Sequence, residues 1–252
     1  MRTVERLEDY EITSAVDLDR LATEDLELMV EAGRQVVEIY RVLAKTGDNV
    51  VGELLRGYET FYEWDHYPKG DVYDRETHAQ YYYHAHVVEQ RFPNEHGHFH
   101  TFVRPKGMPP GIKPADVPER VEKDDPNDEL SHLIAIAMTS DGFPFRLFST
   151  NRWVTGETWY RAKDVCVLLD YFEIDHAQPS WPVNRWISAM IRLFKPQIAE
   201  LLHARDRAVE DWARHRSGSD VFEDRDLEVT AYMEVSVEDQ VRAISKALLK
   251  RR

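Results

Sequence analysis

One cysteine, Cys166, stands in 252 residues, so no internal disulfide can form and no thiolate-rich metal site can be built. Any metal this chain holds must be held by nitrogen and oxygen. Basic charge is also short: 32 Lys and Arg face 46 Asp and Glu, a net charge of -14. Binding to a nucleic-acid backbone depends on releasing counterions from a basic surface, so nucleic acid is not expected as a partner. No apolar run approaches the ~20 residues that span a bilayer, and MRTVERLEDYEITS has no apolar core behind its positive charges. A soluble, cytoplasmic protein without a membrane partner is the expectation. Missing too are a Gly-rich phosphate loop, a Gly-x-Ser-x-Gly elbow and a His-Glu-x-x-His helix, which weighs against kinase, serine-hydrolase and zincin chemistry.

What is present organises into elements. A chain of this length buries roughly three-quarters of its unfolded surface as a single domain, residues 1–252, without help from a metal. Leu26, Met29, Val30, Val36, Val37, Tyr40 and Leu43 keep a helical period, with Thr23 as N-cap and Gly47 just past the end. Residues 50–80 are rich in aromatics and give no clear periodicity. Residues 104–130 hold six of the twelve prolines and much charge, so they read as a long surface connection. LIAIAM and FRLFST flank TSDGFP, which reads as a hairpin. Helical patterns follow at 159–172, 186–194 and 198–212, a helical layer within 155–215, with Pro196 near the first turn of the last. Leu227, Val229, Ala231, Met233 and Val235 would share one face of a closing strand, and Ser236 would cap a final helix. Strands in the middle and helices at both ends give an α+β class, with an antiparallel sheet bearing a His-rich hairpin.

That hairpin carries the chemistry. Five of the eleven histidines lie within residues 84–100, as His-x-His and then His-x-His-x-His, in YYYHAHVVEQRFPNEHGHFHTFV. With strands at 80–90 and 96–104 joined through FPNE, alternation puts Tyr82, His84 and His86 on one face, and His96, His98, His100 and Phe102 on one face of the partner. Folding about Phe92 sets His84 opposite His100 and His86 opposite His98. A register shifted by two residues keeps every histidine on that face. Opposed Cβ atoms roughly 4.5–5.5 Å apart let such imidazoles converge on one ion. Nitrogen donors favour Zn, Fe, Mn, Ni or Cu over Ca or Mg. His84, His86, His98 and His100 are therefore the candidate ligands of one transition-metal ion, with His96 and Glu89 in reserve and Tyr82 and Phe102 as pocket walls.

Three resemblances bear on this stretch. HGHFHTF, residues 96–102, is similar to the motif of the histidine-triad nucleotide hydrolases; carried over, it implies His98 as nucleophile with His96 and His100 in support. It departs from that motif at Gly97 and Thr101, where hydrophobic residues are expected. HAHVVEQRFPNEHG resembles the first metal motif of the cupins, which implies His84, His86 and Glu89 as ligands and Gly97 at a turn. SHLIAIAMTSDGFPFRLFSTNRWVTGETW together with YYYHAHVVEQRFPNEHGHFHTF looks like an uncharacterised bacterial domain of unknown function over roughly residues 70–215, a resemblance that implies no activity.

Other constellations compete. Glu-x-x-His occurs at Glu63/His66, Glu173/His176 and Glu200/His203, a pattern that on paired helices supplies di-iron ligands. His132 could add a ligand from a neighbouring strand, although a structural role is commoner. Asn151, Arg152 and residues 155–157 could receive an anion at a helix start, or simply cap it. The functional expectation is a His-ligated metal protein, either a mononuclear enzyme acting on a small molecule, with an oxygenase-type oxidoreductase ahead of a hydrolase, or a closed metal-binding module. A histidine-triad-like nucleotide hydrolase is the alternative.

Overall fold

The computed structural model describes residues 8–13, 16–118, 123–216 and 220–251. Its centre is a six-stranded antiparallel meander in the order β1 (Tyr67–Tyr73), β2 (Ala79–His84), β3 (Gly97–Val103), β4 (Ser131–Met138), β5 (Pro144–Thr150) and β6 (Val229–Glu234). Helices flank it: α1 (Thr23–Ala44) and α2 (Val50–Leu55) precede the sheet, α3 (Arg152–Thr155), α4 (Ala162–Leu168), α5 (Trp181–Leu193) and α6 (Lys195–His215) lie between β5 and β6, and α7 (Val237–Leu249) follows. The fold is α+β, as the segregation of patterns predicts. Among the described residues no helix is long and apolar enough to cross a membrane.

Period-two alternation gives the sheet two unlike faces. Tyr81 and Tyr83 of β2, Phe99 and Val103 of β3, Ile136 and Met138 of β4 and Leu147 of β5 join the core that includes α1, α5 and α6. In α1 the buried positions Leu26, Met29, Ala32, Val36, Ile39 and Leu43 form a stripe at helical spacing, which is why that segment folds against α5 and α7. The opposite face carries His84, His98, His100 and Phe102, beside a small apolar cluster of Ala135, Ala137, Phe148 and Tyr232.

Several boundaries differ from the sequence reading, each for a local reason. Thr23 is the first residue of α1, and Ala22 caps it without a side-chain bond. The unassigned 50–80 segment contains α2 and β1. The expected strand 80–90 ends at His84, because residues 85–96 form a connection with a 3-10 turn at Val88–Gln90 and a left-handed Asn94 (φ 67°). That longer connection sets the register at His84↔His98 and Tyr82↔His100, two residues from the pairing drawn about Phe92. The helix expected at 159–172 is α4 alone, since Thr158 donates its N–H to Leu130 and the Trp159 carbonyl accepts from Ala115, which holds 157–160 extended. A register irregularity between Ser149 and Thr150 interrupts the closing strand, so Val229 packs beside Phe148 and Tyr232 while Ala231 and Met233 enter the main core. The described parts of 104–130 hold only short 3-10 turns at Pro105–Gly107 and Pro126–Asp128, as proline content requires. Ser236 caps α7 by accepting from the Asp239 N–H, as expected.

Candidate metal centre

Register builds the site row by row. His84 pairs with His98, which pairs with Ala137; Tyr82 pairs with His100, which pairs with Ala135. Alanines on β4 therefore flank both β3 histidines and leave the imidazoles room that larger residues would fill. Gly97 permits the hairpin to close here: a Cβ at that position would stand 2.5 Å from the His84 carbonyl oxygen and 2.8 Å from the Tyr83 hydroxyl. His86 lies beyond the end of β2. Its position is set by Arg91, whose Nε donates to the His86 carbonyl at 2.5 Å, and by Trp64, whose N–H bonds the Ala85 carbonyl and whose ring stacks on the His86 ring at 4.4 Å.

Ligand nitrogens of His84, His86 and His98 all lie within 4.8 Å of one another, the one such group of three or more metal-ligating side chains among the described residues. His84 Nε2 and His98 Nε2 are 2.7 Å apart. Two imidazole nitrogens bound to one ion at about 2.0–2.1 Å stand roughly 3.0–3.4 Å apart, so a slight opening admits a metal. The residues therefore fit a nitrogen-ligated ion.

Electrostatics suit the same use. Burial holds His84 well below the ordinary histidine range, helped by the neighbouring His98 and His86, and lowers His86 to about 4. Burial likewise lowers His100 well below its usual value and His132 to about 3. All four are neutral at pH 7, the form that offers a lone pair to a metal.

The rings have partners behind them. Glu95, almost fully enclosed, accepts from His98 Nδ1 at 2.5 Å with one carboxylate oxygen and from the Phe92 N–H at 3.1 Å with the other. Burial would raise its pKa, but attraction to His98 and these hydrogen bonds outweigh that and leave it lowered. A carboxylate on Nδ1 presents Nε2 as the donor and makes it more basic. His100 Nδ1 is hydrogen-bonded to His132 Nε2 at 3.0 Å. The register irregularity between Thr101 and Phe102 brings His132 opposite Phe102, on the histidine face. Glu157, buried and raised to about 8 by that burial, accepts the His132 backbone N–H at 2.8 Å. At the rim, His66 bonds Asp71 at 2.9 Å and stacks on Tyr82 with ring centroids 3.7 Å apart.

Of the residues the sequence singles out, the structure brings His84, His86 and His98 together, with the His100 ring 4.8 Å from that of His98 and 5.2 Å from that of His84. His100 stands outside the group whose nitrogens converge. Tyr82 and Phe102 line the face beside His100, at 5.1 and 6.3 Å between centroids. His96 turns to the other side of the sheet, where its Nδ1 is hydrogen-bonded to the Tyr83 hydroxyl at 2.8 Å and its ring lies against Phe61. Glu89 sits exposed in the 3-10 turn. Of the Glu-x-x-His pairs, Glu63 is bound to Arg91, Glu173 to Arg185 and Arg192, and Glu200 and His203 lie on α6 away from its buried stripe. Arg152 is occupied by Asp220 and Glu223. Sequence reasoning missed Glu95, and reached Trp64 only as one of the aromatics of residues 50–80 that could wall a pocket. For Glu95 the signal was available: it lies three residues before His98, just ahead of the strand.

The chain belongs to the family described as "Domain of unknown function (DUF6969)", whose sequence model matches residues 30–235. Comparison with curated proteins and with solved structures gives no match.

Proposed function

We propose that this member of the DUF6969 family binds one transition-metal ion, Fe, Cu, Mn, Ni or Zn, through His84, His86 and His98. The observation that carries the reading is the convergence of three imidazole nitrogens within 4.8 Å, with Glu95 behind His98. Burial keeps His84 and His86 neutral without a metal, so an ion meets no imidazolium at either ring and has only to displace the N–H shared by His84 Nε2 and His98 Nε2.

The metal serves as the redox or Lewis-acid centre of an enzyme acting on a small molecule, with Tyr82 and Phe102 as walls and Trp64 at the entrance. An oxygenase-type oxidoreductase is favoured over a hydrolase, because the carboxylates at the cluster already face its rings: Glu95 holds His98 and the Phe92 N–H, and Glu228 lies 4.0 Å from His86 Nδ1. A closed, non-catalytic module is the second reading, favoured by the burial of His84, His98 and His100. A small exogenous ligand such as azide separates the two: it shifts the spectrum of the metal-loaded protein only where a coordination position is open. Nucleophilic attack by His98, as in a histidine-triad hydrolase, is disfavoured, since both its nitrogens are engaged, with Glu95 and His84.

The test is calorimetric titration of metal-free wild type, His86→Ala and His98→Ala, with circular dichroism as the control for folding. Each substitution is expected to abolish tight binding while the fold survives. Stoichiometric tight binding by the folded double variant sinks the proposal.

A further inference from the structure

His100 Nε2 is a ring nitrogen without any hydrogen-bond partner in a fully enclosed side chain. A buried polar atom left unmatched costs about 1–3 kcal/mol, and so calls for an explanation. The only nitrogen of this ring that is satisfied is Nδ1, bonded to His132 Nε2 at 3.0 Å. A hydrogen bond between two imidazole nitrogens needs one N–H, supplied by one ring and accepted by the other. When His100 supplies it, the unmatched Nε2 carries a lone pair rather than a hydrogen.

We infer that His100 is a fourth nitrogen ligand of the same metal and that His132 is the positioning residue that fixes its tautomer. The inference rests on the metal reading above and extends it. The pairing repeats the arrangement on the adjacent residue of that face, where Glu95 holds Nδ1 of His98 and directs Nε2 inward. Because His100 stands outside the converging group of three, loading moves its ring toward His98, whose centroid is 4.8 Å away. Ala135, paired with His100 on β4, leaves room for that movement. Four imidazoles saturate a tetrahedral ion, so reactivity at this site requires a metal that takes five or six ligands, such as Fe, Mn, Ni or Cu, rather than Zn.

The experiment loads wild type, His100→Ala, His132→Leu and His132→Gln with Cu(II), counts coordinated imidazoles by pulsed electron paramagnetic resonance and measures affinity by competition with a chelator. Wild type is expected to show four imidazoles and both His100→Ala and His132→Leu three, with affinity lowered about 10–100-fold. His132→Gln, which keeps an acceptor for Nδ1–H, is expected to restore the four-imidazole signal; a merely structural role for His132 would not produce that rescue. Three imidazoles in wild type overturn the inference while leaving the three-histidine proposal standing, and need no variant to fold. Failure of wild type to bind Cu(II) at all overturns both.

Discussion

Acidifying the metal-free protein from pH 7.5 to 5.5 exposes the cost of keeping so many histidines neutral. The folded-state pKa values of His84, His86, His100 and His132 are all lowered by burial, to about 4 for His86 and about 3 for His132. The unfolded chain therefore binds more protons than the native one once pH falls below about 6.5, and stability declines as pH declines through that window. At pH 5.5 a group with an unfolded pKa of about 6.5 that stays neutral when folded contributes a loss of about 1.4 kcal/mol. The three more deeply buried of these rings, His84, His100 and His132, together give about 4 kcal/mol, and His86 at the rim adds roughly 1. Glu157 works in the opposite direction: its pKa is raised to about 8, so the folded state gains relative to the unfolded as pH falls. Over the same two pH units that relief is about 2–3 kcal/mol. Wild type should thus lose about 2 kcal/mol and Glu157→Gln about 4–5, a large part of a typical total of ~5–15 kcal/mol. Urea unfolding in the presence of a chelator at the two pH values measures both. A Glu157→Gln protein that loses less than the single-histidine value of about 1.4 kcal/mol would refute the reasoning that these rings are held neutral.

Other expectations are independent of that one. Replacing Glu95 by Gln removes the carboxylate behind His98 and should weaken metal binding about 10–100-fold with the fold retained, measured by chelator competition; unchanged affinity would show that Glu95 does not tune the ligand. Gly97→Val should cost about 1–3 kcal/mol or more in chemical denaturation, because its Cβ meets the His84 carbonyl and the Tyr83 ring; a neutral result would mean that the hairpin relaxes there. Ser236→Ala should cost about 1 kcal/mol by removing the α7 cap without altering metal affinity.

Much of the fold is readable from periodicity alone. The stripe of α1, the β4–β5 hairpin and the proline-rich connection follow from apolar spacing and from what Pro forbids, because neighbours within one element decide them. The candidate site is readable to the level of a face: alternation places His84, His98 and His100 on one side whichever register the strands choose. The register itself is not local. It is set by a twelve-residue connection, residues 85–96, held by Arg91 on the His86 carbonyl and by Trp64 on the Ala85 carbonyl, and neither contact leaves a periodic trace. His96 departs because the chain enters β3 at Gly97, so strict alternation does not reach it, and Tyr83 offers its Nδ1 a hydroxyl on the other side. His132 joins the histidine face through an irregular register at Phe102, which a strict period of two cannot anticipate.

Plasma mass spectrometry of untagged protein, purified without chelators and assayed again after reconstitution, decides whether the histidine face is a metal centre. The expected result is about one equivalent of a single transition metal per chain, lost in His98→Ala. Metal-free protein that takes up none of Fe, Cu, Mn, Ni or Zn on reconstitution would contradict it.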